Sequence, residues 1–266
     1  MSKTIQRLVN RLGSLRIAIT NMGLWETIAY ALQRLIYVPL IRPESIRVRS
    51  KTALYPLVCR VKSSDIDVFG QIFLAREYRC LDDVESPALI IDCGANCGYS
   101  AAYFLTRFSN AHLVAVEPDP GNFSVLQQNI RPYGDRAKAI RAGVWSESTG
   151  LVLEDSSMGD GREWARSVRA ARVDEISDIQ ATDISTLLAD SGFTRISILK
   201  IDIEGSEFEL FKSGPPAWIS TVDNMVIEIH GDRCKDAVLG ALSKDGFEVT
   251  RCDELTVFKR TRGRAP

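Results

Sequence analysis

The sequence predicts an α/β protein: a mostly parallel sheet with helices on both faces, preceded by a small helical and β cap. Three observations predict it. From about residue 87, short apolar runs alternate with stretches of helical periodicity, the pattern of βαβ units. The first of these runs, Ala88-Leu89-Ile90-Ile91, ends in an acid and a glycine-rich turn. The length, 266 residues with 45% hydrophobic content, suits one large domain or a domain with an extension. The boundary expected from the change in pattern gives an N-terminal cap over 1–80 and the main domain over 81–266.

In chain order, 4–37 reads as helix, broken near Gly13 and Gly23. Ile28, Leu32, Leu35 and Ile36 recur at helical spacing and form an apolar stripe. Pro39 and Pro43 are expected to stop the helix. Ile46-Arg47-Val48-Arg49 and Leu57-Val58-Cys59-Arg60-Val61 read as short strands, with a short helix within 65–78. After the run at 88–91 come a helix over 100–108, a strand at His112-Leu113-Val114-Ala115-Val116 and a helix over 121–130. Further strands are Lys138-Ala139-Ile140-Arg141-Ala142, Ile196-Ser197-Ile198-Leu199-Lys200-Ile201 and Met225-Val226-Ile227-Glu228-Ile229. A helix over 235–245 precedes two runs, 247–250 and 256–259, that pair as a closing hairpin.

Charge and cysteines narrow the function. Lys and Arg total 33 against 34 Asp and Glu, so the net charge of −1 excludes a general nucleic-acid coat. The balance is uneven: residues 1–51 hold nine Lys/Arg against Glu26 and Glu44, leaving +7 there and −8 for the rest. Six cysteines form no C-x-x-C pair and have no histidine at zinc spacing. Arg7, Arg11 and Arg16 interrupt any secretory apolar core, and no stretch reaches the ~18 apolar residues that span a bilayer. The expectation is a reduced, cytoplasmic, soluble protein.

The turn Asp92-Cys93-Gly94-Ala95-Asn96-Cys97-Gly98 sits where the first strand of the main domain feeds its first helix. Gly94 permits a tight turn, Gly98 lets backbone and ligand approach, and helix-start amides point at the ligand. Asn96 occupies the second glycine position of the dinucleotide fingerprint, which disfavours a nicotinamide enzyme. Asp92 suits a ligand with a cationic amine better than a pyrophosphate. Nineteen residues beyond Gly98, Glu117 ends the second strand, placed to accept hydrogen bonds from both ribose hydroxyls of a nucleoside.

These residues carry a resemblance. Asp92-Cys93-Gly94-Ala95-Asn96-Cys97-Gly98-Tyr99-Ser100, then Val116-Glu117-Pro118-Asp119-Pro120, Leu126-Gln127-Gln128-Asn129 and Lys200-Ile201-Asp202-Ile203-Glu204-Gly205-Ser206-Glu207 resemble the FkbM family of S-adenosylmethionine-dependent methyltransferases. The likeness covers roughly 88–231. It implies the Rossmann-like class I fold with a seven-stranded sheet, and S-adenosylmethionine as cofactor with S-adenosylhomocysteine as product. It implies that Asp92, Gly94, Asn96 and Gly98 line the methionine end, and that Glu117, with Pro118 beside it, binds the ribose. Gly143 and Val144 then flank the adenine, with Trp145 either there or in the core. Asp202, ending the fourth strand, faces the transferred methyl. The stretch 155–172 matches nothing in that pattern.

An alcohol is a poor nucleophile until it loses its proton, so a hydroxyl acceptor calls for a base or a metal. Two strand ends supply candidates. Asp202 and Glu204 share one face of the chain while it stays extended, as do Glu228 and His230. Polar groups in apolar runs are costly unless paired or wet, which favours a functional site. His230 is the first candidate for base, with Asp202, Glu204 and Glu228 around it. Asp202, Glu228 and His230 as ligands of a divalent metal is the less favoured reading. Glu207 suits the start of the following helix.

The expected reaction is O-methylation of a sugar, glycan or small natural product. The amide-Pro-Pro-aromatic signature of base N-methylation is absent, because Gly214-Pro215-Pro216-Ala217 lacks both the amide and the ring. N-methylation, nucleic-acid methylation and a non-catalytic scaffold are the alternatives, though no nucleic-acid partner is expected. The basic N-terminal helix suits an anionic membrane surface, an acidic substrate, or packing on the core or on a second copy of the chain.

Overall fold

The structure is a computed structural model, and it describes residues 16–154, 167–172, 174–243 and 245–261. The expected helix over 4–15, its break near Gly13 and most of the unmatched stretch 155–172 lie outside the described residues. The chain divides into two compact units, with the boundary between Arg79 and Cys80.

In the first unit, α1 covers 16–22 and Gly23, at φ 107°, separates it from α2 (Leu24–Leu32). A widened turn over Gln33–Tyr37 leads into α3 (Val38–Ile41). The helix therefore runs through Pro39, contrary to the expected stop. Proline removes the bond to the carbonyl four residues back and crowds it. Here the widened turn, with the Val38 amide reaching back to Gln33, precedes the ring. Helical structure ends instead at Arg42, left-handed at φ 51°, just before Pro43. β1 (Ser45–Val48) and β2 (Leu57–Arg60) pair antiparallel. α4 (Asp65–Phe69) follows, tied to β2 by Asp65, whose fully buried carboxylate takes the Arg60 backbone amide and guanidinium.

The second unit is built on a seven-stranded sheet. Its elements in chain order are β3 (Leu89–Cys93), α5 (Tyr99–Arg107), β4 (His112–Val116), α6 (Pro120–Ile130) and β5 (Ala137–Ile140). Next come β6 (Gly143–Val144), β7 (Gly150–Glu154), β8 (Ser167–Ala170), β9 (Ile179–Thr182), α7 (Ile184–Ser191) and β10 (Ile196–Ile201). The chain closes with α8 (Glu207–Phe211), β11 (Val222–Glu228), α9 (Asp232–Leu242), β12 (Phe247–Cys252) and β13 (Leu255–Arg260). The sheet order is β12-β13-β11-β10-β3-β4-β5. β11, β10, β3, β4 and β5 run parallel; β13 pairs antiparallel with β11, and β12 pairs antiparallel with β13 at the sheet edge. This is a Rossmann-like α/β architecture with the seven-stranded sheet that the resemblance implies. Every residue of β3 is buried, as expected of a strand covered on both faces. Its core joins Ile91, Val116, Leu199, Ile201 and Ile227 to Phe211 and Val238 from the flanking helices.

One feature is absent from the sequence reading. β6, β9, β7 and β8 form a separate four-stranded sheet between β5 and α7. Trp145, Leu151, Ile179 and Ala181 make its own small core, so Trp145 is a packing residue.

Strand order reverses between β3 and β10: from β3 the chain moves to β4 and β5, then returns to β10 on the other side. The crevice beyond the C-terminal ends of the two strands at such a reversal is where open α/β sheets bind ligands.

Candidate active site

The loop after β3 is held close to β10. The Asp202 amide donates to the Cys93 carbonyl at 3.1 Å, and Gly94 lies so near that a Cβ there would sit 1.7 Å from the Asp202 carbonyl oxygen. Gly94 has φ 78° and Gly98 φ 85°, so both need the left-handed freedom of glycine. Asn96 is left-handed too, at φ 49°, which asparagine tolerates better than most residues. Gly98 opens α5 against Leu126 of α6, and Asn129 ties that helix to the loop through the Cys97 carbonyl at 2.8 Å.

Asp92 is fully buried. It accepts from the Ser100 hydroxyl at 2.6 Å and lies 3.3 Å from the ammonium of Lys200, itself 2% exposed. That ammonium also donates to the Gly94 carbonyl at 2.5 Å and lies 3.3 Å from Asp202. One buried cation thus joins the acid of β3, the glycine loop and the acid that ends β10. The sequence presents Lys200 and Ser100 only as members of the two motifs, without a role. A lysine inside the apolar run of β10 was the available signal, because a buried ammonium needs a charged partner.

Glu117 follows β4 and is buried. Its two oxygens accept the backbone amides of Asn96, at 2.8 Å, and Asp119, at 2.9 Å. Burial pushes its carboxyl up to about 7, against the lowering effect of those amides. Asp119 caps α6 through the Asn122 amide, and half-buried Pro118 sits between the two acids. Each Glu117 oxygen retains a lone pair for a further donor. Gly143 and Val144 form β6 and are buried. The bare Cα of Gly143 faces Leu151, whose Cδ1 would lie 2.3 Å from a Cβ there.

The ends of β10 and β11 bring four acids around one imidazole. His230 Nε2 lies 3.6 Å from Glu204, 3.7 Å from Glu228 and 3.9 Å from Asp202. Its Nδ1 lies 3.1 Å from Glu207, the first residue of α8, whose fully buried carboxylate also accepts the Ile203 amide. Glu207 therefore both opens a helix and orients the ring, a role the sequence reading did not assign. Glu204 is left-handed at φ 52°, followed by Gly205 at φ 93°. Burial, opposed by His230 and reinforced by the other acids, pushes Glu204 and Glu228 up to about 7. For His230, burial disfavours the charged ring, but the Glu207 hydrogen bond and the neighbouring carboxylates outweigh it and raise it to about 9. At neutral pH the free ring is a cation beside two glutamates poised to exchange protons. Asp202, Glu228 and His230 each present a ligand atom within 4.8 Å of the others, room for a divalent ion.

Together these features fit a nucleoside carrying a sulfonium. A buried carboxylate with lone pairs to spare ends β4, and an acidic cluster favouring positive charge lies where Asp202 meets the glycine loop. Sequence comparison agrees. A model of the methyltransferase FkbM domain matches residues 92–249, more than half of the chain. Methyltransferase sdnD of Sordaria araneosa is 28% identical over 214 residues, 69% of this chain and 82% of that protein. The hexuronic acid methyltransferase AglP of Haloferax volcanii is 26% identical over 56% of this chain and 59% of its own length. The 2-O-methyltransferase NoeI of Sinorhizobium fredii is 26% identical over 47% and 57%. The chain belongs to the FkbM methyltransferase family.

Proposed function

We propose that this methyltransferase acts on a hydroxyl of a sugar, glycan or comparable small molecule, and that the cluster around His230 receives the hydroxyl proton. The observation that carries the reading is the single imidazole held against four carboxylates beyond the ends of β10 and β11. A thiolate is already deprotonated and needs no such apparatus, whereas an alcohol does. Two relatives support the acceptor class by name, one a hexuronic acid methyltransferase and one a 2-O-methyltransferase.

S-adenosylmethionine, when bound, supplies an electrophilic methyl that needs no further activation. Glu117 would hold the ribose, the loop from Asp92 to Gly98 the methionine end, and Gly143 with Val144 the adenine side. The protein's remaining work is to align the acceptor and take its proton. In the free site a glutamate, Glu204 or Glu228, titrates near neutrality and is matched to that task, while His230 is protonated. We therefore give the glutamates the role of acceptor. His230, fixed by Glu207, is the cation that offsets part of the effect of burial on them, and Asp202 aligns the methyl acceptor.

The test is a purified-enzyme assay with S-adenosylmethionine against free sugars, uronic acids, oligosaccharides, amines and RNA. The expected result is methylation of a hydroxyl acceptor, identified by mass spectrometry, with stoichiometric S-adenosylhomocysteine. Methylation of amines alone would overturn the hydroxyl reading.

A further inference from the structure

We propose that the helical rod formed by α2, the widened turn and α3 is a membrane-surface element that lies on anionic lipid. The rod is amphipathic in the reverse sense to an ordinary surface helix. Its inward side is mixed: Thr27 is buried with its hydroxyl on the Gly23 carbonyl, and Tyr30 stacks on Phe69 at 5.8 Å. Its aliphatic and indole side chains point out. Trp25, Leu35 and Leu40 are 76%, 77% and 74% exposed, and Ile28, Leu32 and Ile36 between them are exposed as well. The stripe read from the sequence is thus present, and it is exposed. A continuous apolar face of this kind marks an interaction site.

Charge decides the occupant. Between 16 and 51 the chain carries Arg16, Arg34, Arg42, Arg47, Arg49 and Lys51 against only Glu26 and Glu44, and all six basic residues are exposed. The alternation of β1 turns Arg47 outward while Ile46 and Val48 are buried. A second copy docked on the same face would set these like charges against one another. A leaflet rich in acidic phospholipid attracts them and accepts the apolar side chains, with Trp25 suited to the headgroup boundary. Glu26 and Arg34 within the rod suit a helix lying in the plane of the surface, and no helix among the described residues is long and apolar enough to cross a membrane. This surface is independent of the methyl acceptor.

The experiment is co-sedimentation of the full chain with vesicles of phosphatidylcholine alone and of phosphatidylcholine with phosphatidylglycerol. The wild type is expected to bind the anionic vesicles, to bind neutral ones at least tenfold more weakly, and to release as salt is raised. The triple variant Trp25→Glu, Leu35→Glu, Leu40→Glu should lose vesicle binding at least tenfold while keeping its thermal melt and its affinity for S-adenosylhomocysteine. No binding by the wild type, or equal binding by the folded variant, would overturn the proposal. So would a wild-type dimer, seen by light scattering, that the variant splits, since that assigns the face to a second copy.

Discussion

At the residue scale, His230 decides how the site treats protons. Its Nδ1 is pinned by a fully buried glutamate, and three more carboxylates face its Nε2. Two assignments of the base give different pH profiles. If a glutamate accepts the proton, kcat/KM rises with pH through about 7, the value to which Glu204 and Glu228 are pushed. If the neutral ring accepts it, the rise comes near 9. We expect the lower limb. His230→Gln should cut turnover ~10²-fold or more and move that limb upward, because the acids lose their cation. Affinity for S-adenosylhomocysteine should stay near the wild-type value. Chelation separates the metal reading: protein treated with EDTA should keep its rate. Loss of activity restored by Mg²⁺ would instead make Asp202, Glu228 and His230 metal ligands. Glu117 carries a linked prediction. Raised to about 7 in the free protein, it must be ionised to accept two hydroxyls, so S-adenosylhomocysteine should bind more tightly at pH 8 than at pH 6 and release a proton near pH 6. Calorimetry in buffers of different ionisation enthalpy measures that proton. Glu117→Ala should remove the pH dependence and weaken binding by about 1–3 kcal/mol.

At the scale of elements, β10 links the parts of the site, and Lys200 is its centre. Inside a strand buried on both faces, this ammonium touches Asp92, Asp202 and the Gly94 carbonyl. Lys200→Met removes the cation and leaves Asp92 buried without it, so the variant should lose about 3 kcal/mol or more in denaturant unfolding. Adding Asp92→Asn should recover much of that loss, and no recovery would refute the pairing. The strands and the closing hairpin were legible because parallel strands buried on both faces read as short apolar runs, and β12 and β13 are separated by only two residues. The convergence of Asp202 and Glu204 with Glu228 and His230 was legible from polar residues placed at the ends of two apolar strands. Other features were not. β6 is two residues long, and β6 to β9 form their own sheet, so neither period nor length betrayed them. Pro39 reads as a stop unless the widened turn before it is known. The sequence places Asp92 at the glycine loop, but not its pairing with Lys200, 108 residues away in the chain. The outward face of α2 and α3 shows the same limit: periodicity marks an apolar stripe and not the side on which it lies.

At the scale of the whole molecule, the perturbed acids and His230 combine into one dependence of stability on pH. Glu117, Glu204 and Glu228 are raised from 4.5 to about 7, and His230 from 6.5 to about 9. A group raised on folding contributes stability that is complete below its unfolded value and is lost as pH climbs through its folded value. The three glutamates therefore lose their contribution between about 4.5 and 7, and His230 loses its own between about 6.5 and 9. The shifts act in the same direction. Glu175 is lowered to about 2 by Arg169, so its contribution is lost only below 4.5, outside that window. Glu117 alone corresponds to roughly 3 kcal/mol, and the half-buried, mutually interacting cluster adds less per group. The chain should therefore melt highest near pH 5 and fall steadily to pH 9, by roughly 10 °C at about 2–4 °C per kcal/mol. Glu204→Gln with Glu228→Gln should reduce the slope between pH 5 and 7 to the part that Glu117 carries, since neither amide titrates. His230→Gln should flatten it between pH 7 and 9. Calorimetric melts across that range decide the matter: a melting temperature that rises with pH would mean that these acids are ionised in the folded protein at pH 5. Neither glutamate would then be poised to take a proton near neutrality.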